Sequence, residues 1–181
     1  MRKTKILPWT EEWAQLYKKE ERILKDIFKD ELVEIYHIGS TSVPAIGYAK
    51  PIIDILTAVK NIEKVNDYNG QMIASGYEPK GENGIAGRRF FSKGQDQRTH
   101  HVHIFQVDSE QIKIHLDFKE YLLNNPEEAK KYGELKICLA KQFPNEHYKY
   151  QEGKQQFVNN LVIKAKEWAL RNKITNEGNQ V

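Results

Sequence analysis

Residues 37–56 read His-Ile-Gly-Ser-Thr-Ser-Val-Pro-Ala-Ile-Gly-Tyr-Ala-Lys-Pro-Ile-Ile-Asp-Ile-Leu, and this stretch decides the fold. It closes one strand, makes a polar turn and opens a second strand. Upstream, Leu32-Val33-Glu34-Ile35-Tyr36-His37-Ile38 alternates aliphatic or β-branched residues with polar ones, the period of an extended strand. Gly39-Ser40-Thr41-Ser42 breaks that alternation with turn-forming residues. Glycine lets the backbone come close to a ligand, and the three hydroxyls beside free amide N–H groups suit phosphate oxygens. Pro51 then fixes φ at the start of the next strand and biases Lys50 towards an extended conformation. The strand Ile52-Ile53-Asp54-Ile55-Leu56 is apolar except for one carboxylate, and a lone acid in a buried strand needs a partner or a ligand.

Thr99-His100-His101-Val102-His103-Ile104-Phe105-Gln106-Val107 is the second unusual segment. In an extended chain His101, His103 and Phe105 share one face and Val102 and Ile104 the other. Two imidazoles at this spacing reach a common metal or phosphate, and the competing reading is a pair of hydrogen-bonded, half-buried histidines. Alternating histidines also mark the histidine triad nucleotide hydrolases, but Phe105 stands where their third histidine would be.

The phrases His37-Ile38-Gly39-Ser40-Thr41-Ser42-Val43-Pro44 and Lys50-Pro51-Ile52-Ile53-Asp54-Ile55 closely resemble the signature of the GrpB family. Members of that family look like divergent nucleotidyltransferases of the DNA polymerase β superfamily. In that superfamily a Gly-Ser pair ends one strand, a pair of acids lies on the next, and a third acid lies on a further strand. Gly39-Ser40 fits, whereas Asp54 is flanked at the same-face positions by Ile52 and Leu56, so one acid of the pair is missing. The resemblance extends to residues 99–105 and, more faintly, to Asp117-Phe118-Lys119-Glu120-Tyr121-Leu122, where the family commonly carries arginine in place of Lys119. It covers about Pro8 to Leu170.

Around these segments the chain alternates helices with strands. Trp13, Leu16, Tyr17, Leu24, Ile27 and Phe28 recur at helical spacing, with Thr10 placed to cap and Glu11-Glu12 in the first turn, which predicts an amphipathic helix of about five turns. Trp13, like Trp168 further on, falls on an apolar stripe and is expected in the core rather than stacked on a base. Ile62 to Ser75 reads as a helix stopped by Gly76, Gly81–Gly87 as a mobile hairpin loop, and Arg88–Lys93 as a short strand. Either of Arg88 and Arg89 could meet phosphate in bidentate fashion or lie on a solvated strand face. Three helices follow: Ser109 to Leu123, Asn125-Pro126 to Pro144, and about Tyr148 to Leu170, with a polar tail from Ile174 to Val181.

Composition bounds the function. In 181 residues, 28 Lys and Arg against 25 Asp and Glu give a net charge of +3, too weak a basic excess to argue for nucleic acid. The single cysteine, Cys138, forms no intramolecular disulfide, and no apolar run approaches the ~20 residues that span a bilayer. Met1-Arg2-Lys3-Thr4-Lys5 lacks the apolar segment that follows in a signal peptide, so a soluble, cytoplasmic protein without membrane contact is expected. The expected fold is α/β: one domain over residues 1–181 with its core at about 8–170, built on a nucleotidyltransferase-like mixed sheet with flanking helices and a C-terminal helical hairpin or bundle.

Resemblance and residue chemistry together give a site. Gly39, Ser40, Thr41 and Ser42 would hold phosphate with Lys50 offsetting its charge. Asp54, His101 and His103 would hold Mg²⁺ or Mn²⁺, Asp54 and His103 would be the catalytic residues, and either His101 or His103 could complete the metal site or serve as general base. The ligand would be a nucleoside triphosphate or another phosphorylated small molecule, and the reaction nucleotidyl transfer. The alternative is a non-catalytic nucleotide-binding or regulatory module on the same fold, in keeping with the missing acid.

Overall fold

The computed structural model describes residues 4–178, with side chains as far as 172. The chain forms two compact units that are interleaved along the sequence. One contains residues 10–42 and 51–112, the other residues up to 9, 43–50 and from 113 onward.

The first unit holds a five-stranded sheet. Its strands are β2 (Leu32–Ile38), β4 (Ile53–Val59), β5 (Tyr77–Pro79), β6 (Arg89–Lys93) and β7 (His100–Gln106), in spatial order β2-β4-β7-β6-β5. The sheet is mixed, as expected: β4 and β7 run parallel and every other neighbouring pair is antiparallel. Parallel strands need a crossover. Here residues 60–99 supply it, and they carry β5 and β6 on the way.

Helix α1 (Glu12–Phe28) begins as the sequence suggests, the Thr10 hydroxyl accepting the Glu12 N–H at 3.3 Å. Trp13, Tyr17, Leu24, Ile27 and Phe28 are buried, and Leu16, at 40% exposure, falls off the stripe. The Tyr17 ring stacks on His37 at 4.8 Å, and His37 stands opposite Ile55. Helix α1 therefore covers the face of β4 that carries Ile53, Ile55 and Thr57. Asp54 points to the other face. On the α1 side, buried Glu20 accepts from the Tyr77 hydroxyl at 2.7 Å and from Lys93 Nζ at 2.8 Å, tying the helix to β5 and β6.

The helix expected over residues 62–75 forms in two pieces, a 3₁₀ segment Glu63–Tyr68 and α2 (Asn69–Ala74). Asn61 accepts the Glu63 N–H through its side chain, and Asn66, Asp67 and Asn69-Gly70 are poor helix formers, so the tighter turn prevails first. Residues 80–88 do form a hairpin loop between β5 and β6.

The second unit contains the short antiparallel pair β1 (Leu7–Pro8) and β3 (Tyr48–Ala49), most of α3 (Glu110–Asn124), α4 (Pro126–Gln142) and α5 (His147–Gly178). Val43, Ile46, Tyr121, Leu122, Ala129, Tyr132, Leu161 and Ala165 form its core, with Phe157 and Trp168 packed against them. Gly133 is a glycine for a steric reason: a Cβ there would lie 1.8 Å from the Ile46 carbonyl oxygen. Helix α5 continues past Leu170 to Gly178, into the stretch expected as a polar tail, and residues 179–181 lie outside those described.

Candidate functional site

Three side chains meet on the sheet face away from α1. Asp54 and His101 are paired across the parallel β4–β7 register, and His103 follows two residues along β7, so strand parity alone puts all three on one side. His101 Nδ1 donates to Asp54 Oδ1 at 3.1 Å, and His103 Nε2 lies 3.6 Å from the same oxygen. A ligand atom from each residue lies within 4.8 Å of the other two. Phe90, which stands opposite His103 on β6, packs against both imidazoles at 5.3 and 5.1 Å. The ring walls the cluster on one side. Burial by itself would raise the Asp54 pKa; the N–H groups of His101 and His103 outweigh it and hold the carboxyl well below the usual range.

The other carboxylate oxygen faces the Gly39 turn. Gly39 closes β2 with φ +71°, and a Cβ built on it would lie 2.6 Å from Asp54 Oδ2. The turn thus brings bare backbone against the carboxylate, in keeping with the glycine at its head. Its hydroxyls divide the work. Ser42 donates to the Gly39 carbonyl at 2.7 Å, and buried Thr41 donates to the Ile52 carbonyl at 3.5 Å while lying 2.9 Å from His37 Nε2. Both shape the loop. Ser40, half-buried, makes no side-chain hydrogen bond among the described residues and keeps its hydroxyl available to a ligand.

Lys50 belongs to the other unit, where its ammonium lies 4.5 Å from the centre of the Tyr150 ring. The expected acid pair is indeed single, since Ile52 and Leu56 beside Asp54 are buried aliphatics. One residue near the cluster carries more than its sequence suggests. Arg88 is 5% exposed rather than on a solvated face, and its Nη1 donates to His103 Nδ1 at 3.3 Å. The available signal is its place two residues before Phe90, at the mouth of a strand that runs beside the histidines. Arg89 turns outward to Glu63 and Asn66.

This site can be set beside known proteins. The family model described as GrpB protein matches residues 3–164. The Glutamate-rich protein GrpB of Alkalihalophilus pseudofirmus is 33% identical over 87% of this chain and 92% of its own length. The chain belongs to the GrpB family. Another relative, the UPF0157 protein YqkA of Bacillus subtilis, is 46% identical over 92% of the chain, and the match spans only 48% of YqkA. The crystal structure of the conserved protein GrpB from Enterococcus faecalis superposes with a TM-score of 0.85 at 41% identity, covering 91% of this chain and 99% of that one. The GrpB fold is therefore the fold described above. A structure of Cid1 with its short product ApU is far more distant, at TM-score 0.43 and 14% identity over 73% of this chain and 39% of that one. So loose a likeness bears on neither fold nor activity. Among the described residues no helix is long and apolar enough to cross a membrane.

Proposed function

We propose that this GrpB protein binds a nucleoside triphosphate together with a divalent cation and transfers its nucleotidyl group. The observation that carries the reading is the convergence of Asp54, His101 and His103 on one sheet face, beside a glycine turn that meets the Asp54 carboxylate. One carboxylate and two imidazoles are donors that suit Mn²⁺, with Mg²⁺ favouring the carboxylate alone. When bound, the cation would offset phosphate charge.

The chain's own groups supply the rest. Ser40 has a hydroxyl to donate to a phosphate oxygen, and the bare Gly39 backbone lies against the Asp54 carboxylate, so that the turn and the acid would meet the ligand together. The depressed pKa keeps Asp54 ionised at neutral pH, as a hard-cation ligand must be. The second reading, a phosphate-binding or regulatory module without catalysis, is favoured by one observation: buried Ile52 and Leu56 occupy both places where a second acid would share the face.

Calorimetry of the full chain with a non-hydrolysable nucleoside triphosphate tests the reading. Binding is expected with Mn²⁺ present and not in its absence, and Ser40→Ala should weaken it about 10-fold, the loss of one hydrogen bond to a charged group. Equal affinity with and without the metal would refute the joint site. Turnover of labelled triphosphate in the presence of cell extract as acceptor source separates the two readings, since the module predicts binding without turnover.

A further inference from the structure

Arg88 is a buried cation with neutral partners. Among the described residues no carboxylate lies within ion-pair distance of its guanidinium, although a buried charge is ordinarily paired. Its Nε donates to the Glu82 carbonyl at 3.1 Å and its Nη2 to the Asn83 carbonyl at 2.7 Å. The guanidinium carbon stands 4.8 Å from the centre of the Phe90 ring. Two backbone carbonyls and an aromatic face thus fix the guanidinium, and it aims its remaining edge at His103 Nδ1, 3.3 Å from Nη1.

A guanidinium only donates, so His103 Nδ1 must accept. The proton of the neutral ring is then on Nε2, the nitrogen 3.6 Å from Asp54 Oδ1. That N–H points into the cluster, on the side where the carboxylate and any anion beside it would lie. A metal takes the unprotonated nitrogen of a neutral imidazole: on His103 Arg88 keeps that nitrogen away from the cluster, whereas on His101, whose Nε2 meets no such donor among the described residues, the proton can sit on Nε2 and leave Nδ1 to a cation beside Asp54.

We propose that Arg88 is a positioning residue that holds His103 as its Nε2–H tautomer, making His103 a hydrogen-bond donor to a phosphate oxygen of the ligand and leaving Asp54 and His101 as the two protein ligands of the cation. This rests on the cation and phosphate reading above and divides the roles within it. A site with two protein ligands keeps its other positions for water and phosphate, which is how phosphate-bound cations are commonly held and unlike the four-ligand set of a structural zinc. The carbonyls of Glu82 and Asn83 acquire a role as well. They hold the guanidinium, so the glycine-rich loop orients His103 through Arg88.

The test uses long-range proton–nitrogen spectra of the histidine side chains in the full-length protein, with the His103 signals assigned by their loss in His103→Gln. The expected spectrum shows His103 protonated at Nε2; Arg88→Met should redistribute the proton between the two nitrogens, and Arg88→Lys, which retains a donor, should largely restore it. A merely structural arginine would not move that signal. Should Arg88→Met fail to fold, the unaltered protein and Mn²⁺ titration followed by electron paramagnetic resonance still decide. Asp54→Asn and His101→Gln, which remove cation ligands, should each lower Mn²⁺ affinity about 10-fold or more, and His103→Gln, which keeps a side-chain N–H donor, clearly less than His101→Gln. Protonation of His103 at Nδ1 in the unaltered protein, or a His103→Gln loss as large as that of His101→Gln, would overturn the assignment. No Mn²⁺ binding by the unaltered protein would overturn the two-ligand site together with the reading it rests on; a wrong tautomer with normal Mn²⁺ binding overturns only the role of Arg88.

Discussion

At the scale of single residues, the Asp54 carboxylate is shared between two neighbours: Oδ1 faces the imidazoles and Oδ2 the Gly39 turn. Gly39 and Gly47 offer a matched pair of substitutions. Both have positive φ, but a Cβ at Gly47 meets nothing within 4 Å, whereas one at Gly39 meets Asp54. Gly47→Ala should cost about 1–2 kcal/mol, the backbone strain of a left-handed residue. Gly39→Ala should cost more than Gly47→Ala and, in a folded sample, also weaken Mn²⁺ binding. Denaturant unfolding of the two variants, followed by Mn²⁺ titration, checks both statements, and equal losses with intact Mn²⁺ binding would show that the Asp54 contact is incidental. How much of the cluster is legible in the sequence is a matter of parity. His101, His103 and Asp54 sit on strands whose side chains alternate strictly, so their positions in the chain are enough to assign each to a face. Arg88 lies just outside its strand, where no periodicity dictates which way a side chain turns. Its burial follows from the Glu82 and Asn83 carbonyls, which the course of the 80–88 loop brings within reach.

At the scale of elements, the N-terminal helix is the most secure prediction and the segment after β4 the least. Helix α1 has a stripe of large apolar residues that only one orientation can bury, and Trp13 on that stripe is 4% exposed. Trp13→Ala should therefore destabilise the protein by roughly 3–5 kcal/mol, as for other buried aromatics. Thermal or chemical melts showing a loss near zero would contradict the core assignment. The polar tie beneath the same helix is not legible, because nothing in sequence joins Glu20 to Tyr77 and Lys93, residues 57 and 73 positions away. Lys93→Met leaves the Glu20 carboxylate buried without its cation and should cost about 3–5 kcal/mol, readable in the same melts. Residues 62–75 have a helical pattern, yet their Asn, Asp and Gly content makes local side-chain bonds competitive with the helix. In the second unit, α5 outruns its apolar stripe to Gly178, since a polar helix can extend once its earlier turns are packed.

At the scale of the whole molecule, near-balanced charge and a GrpB fold leave the Asp54–His101–His103 cluster as the feature from which function is argued. A ligand that binds only the folded protein raises its stability by RT ln(1 + [L]/Kd), about 2.7 kcal/mol at 100-fold excess over Kd. For a chain of this size that corresponds to a rise of roughly 5–10 °C in melting temperature. Asp54→Asn keeps the shape and hydrogen-bonding capacity of the side chain and removes its charge. The decisive measurement is the melting temperature of the unaltered protein and of Asp54→Asn, each with and without saturating Mn²⁺. The expected result is a metal-induced rise of that order in the unaltered protein that vanishes in a folded Asp54→Asn; a rise that persists undiminished in Asp54→Asn would mean that the cation, wherever it binds, does not bind at Asp54.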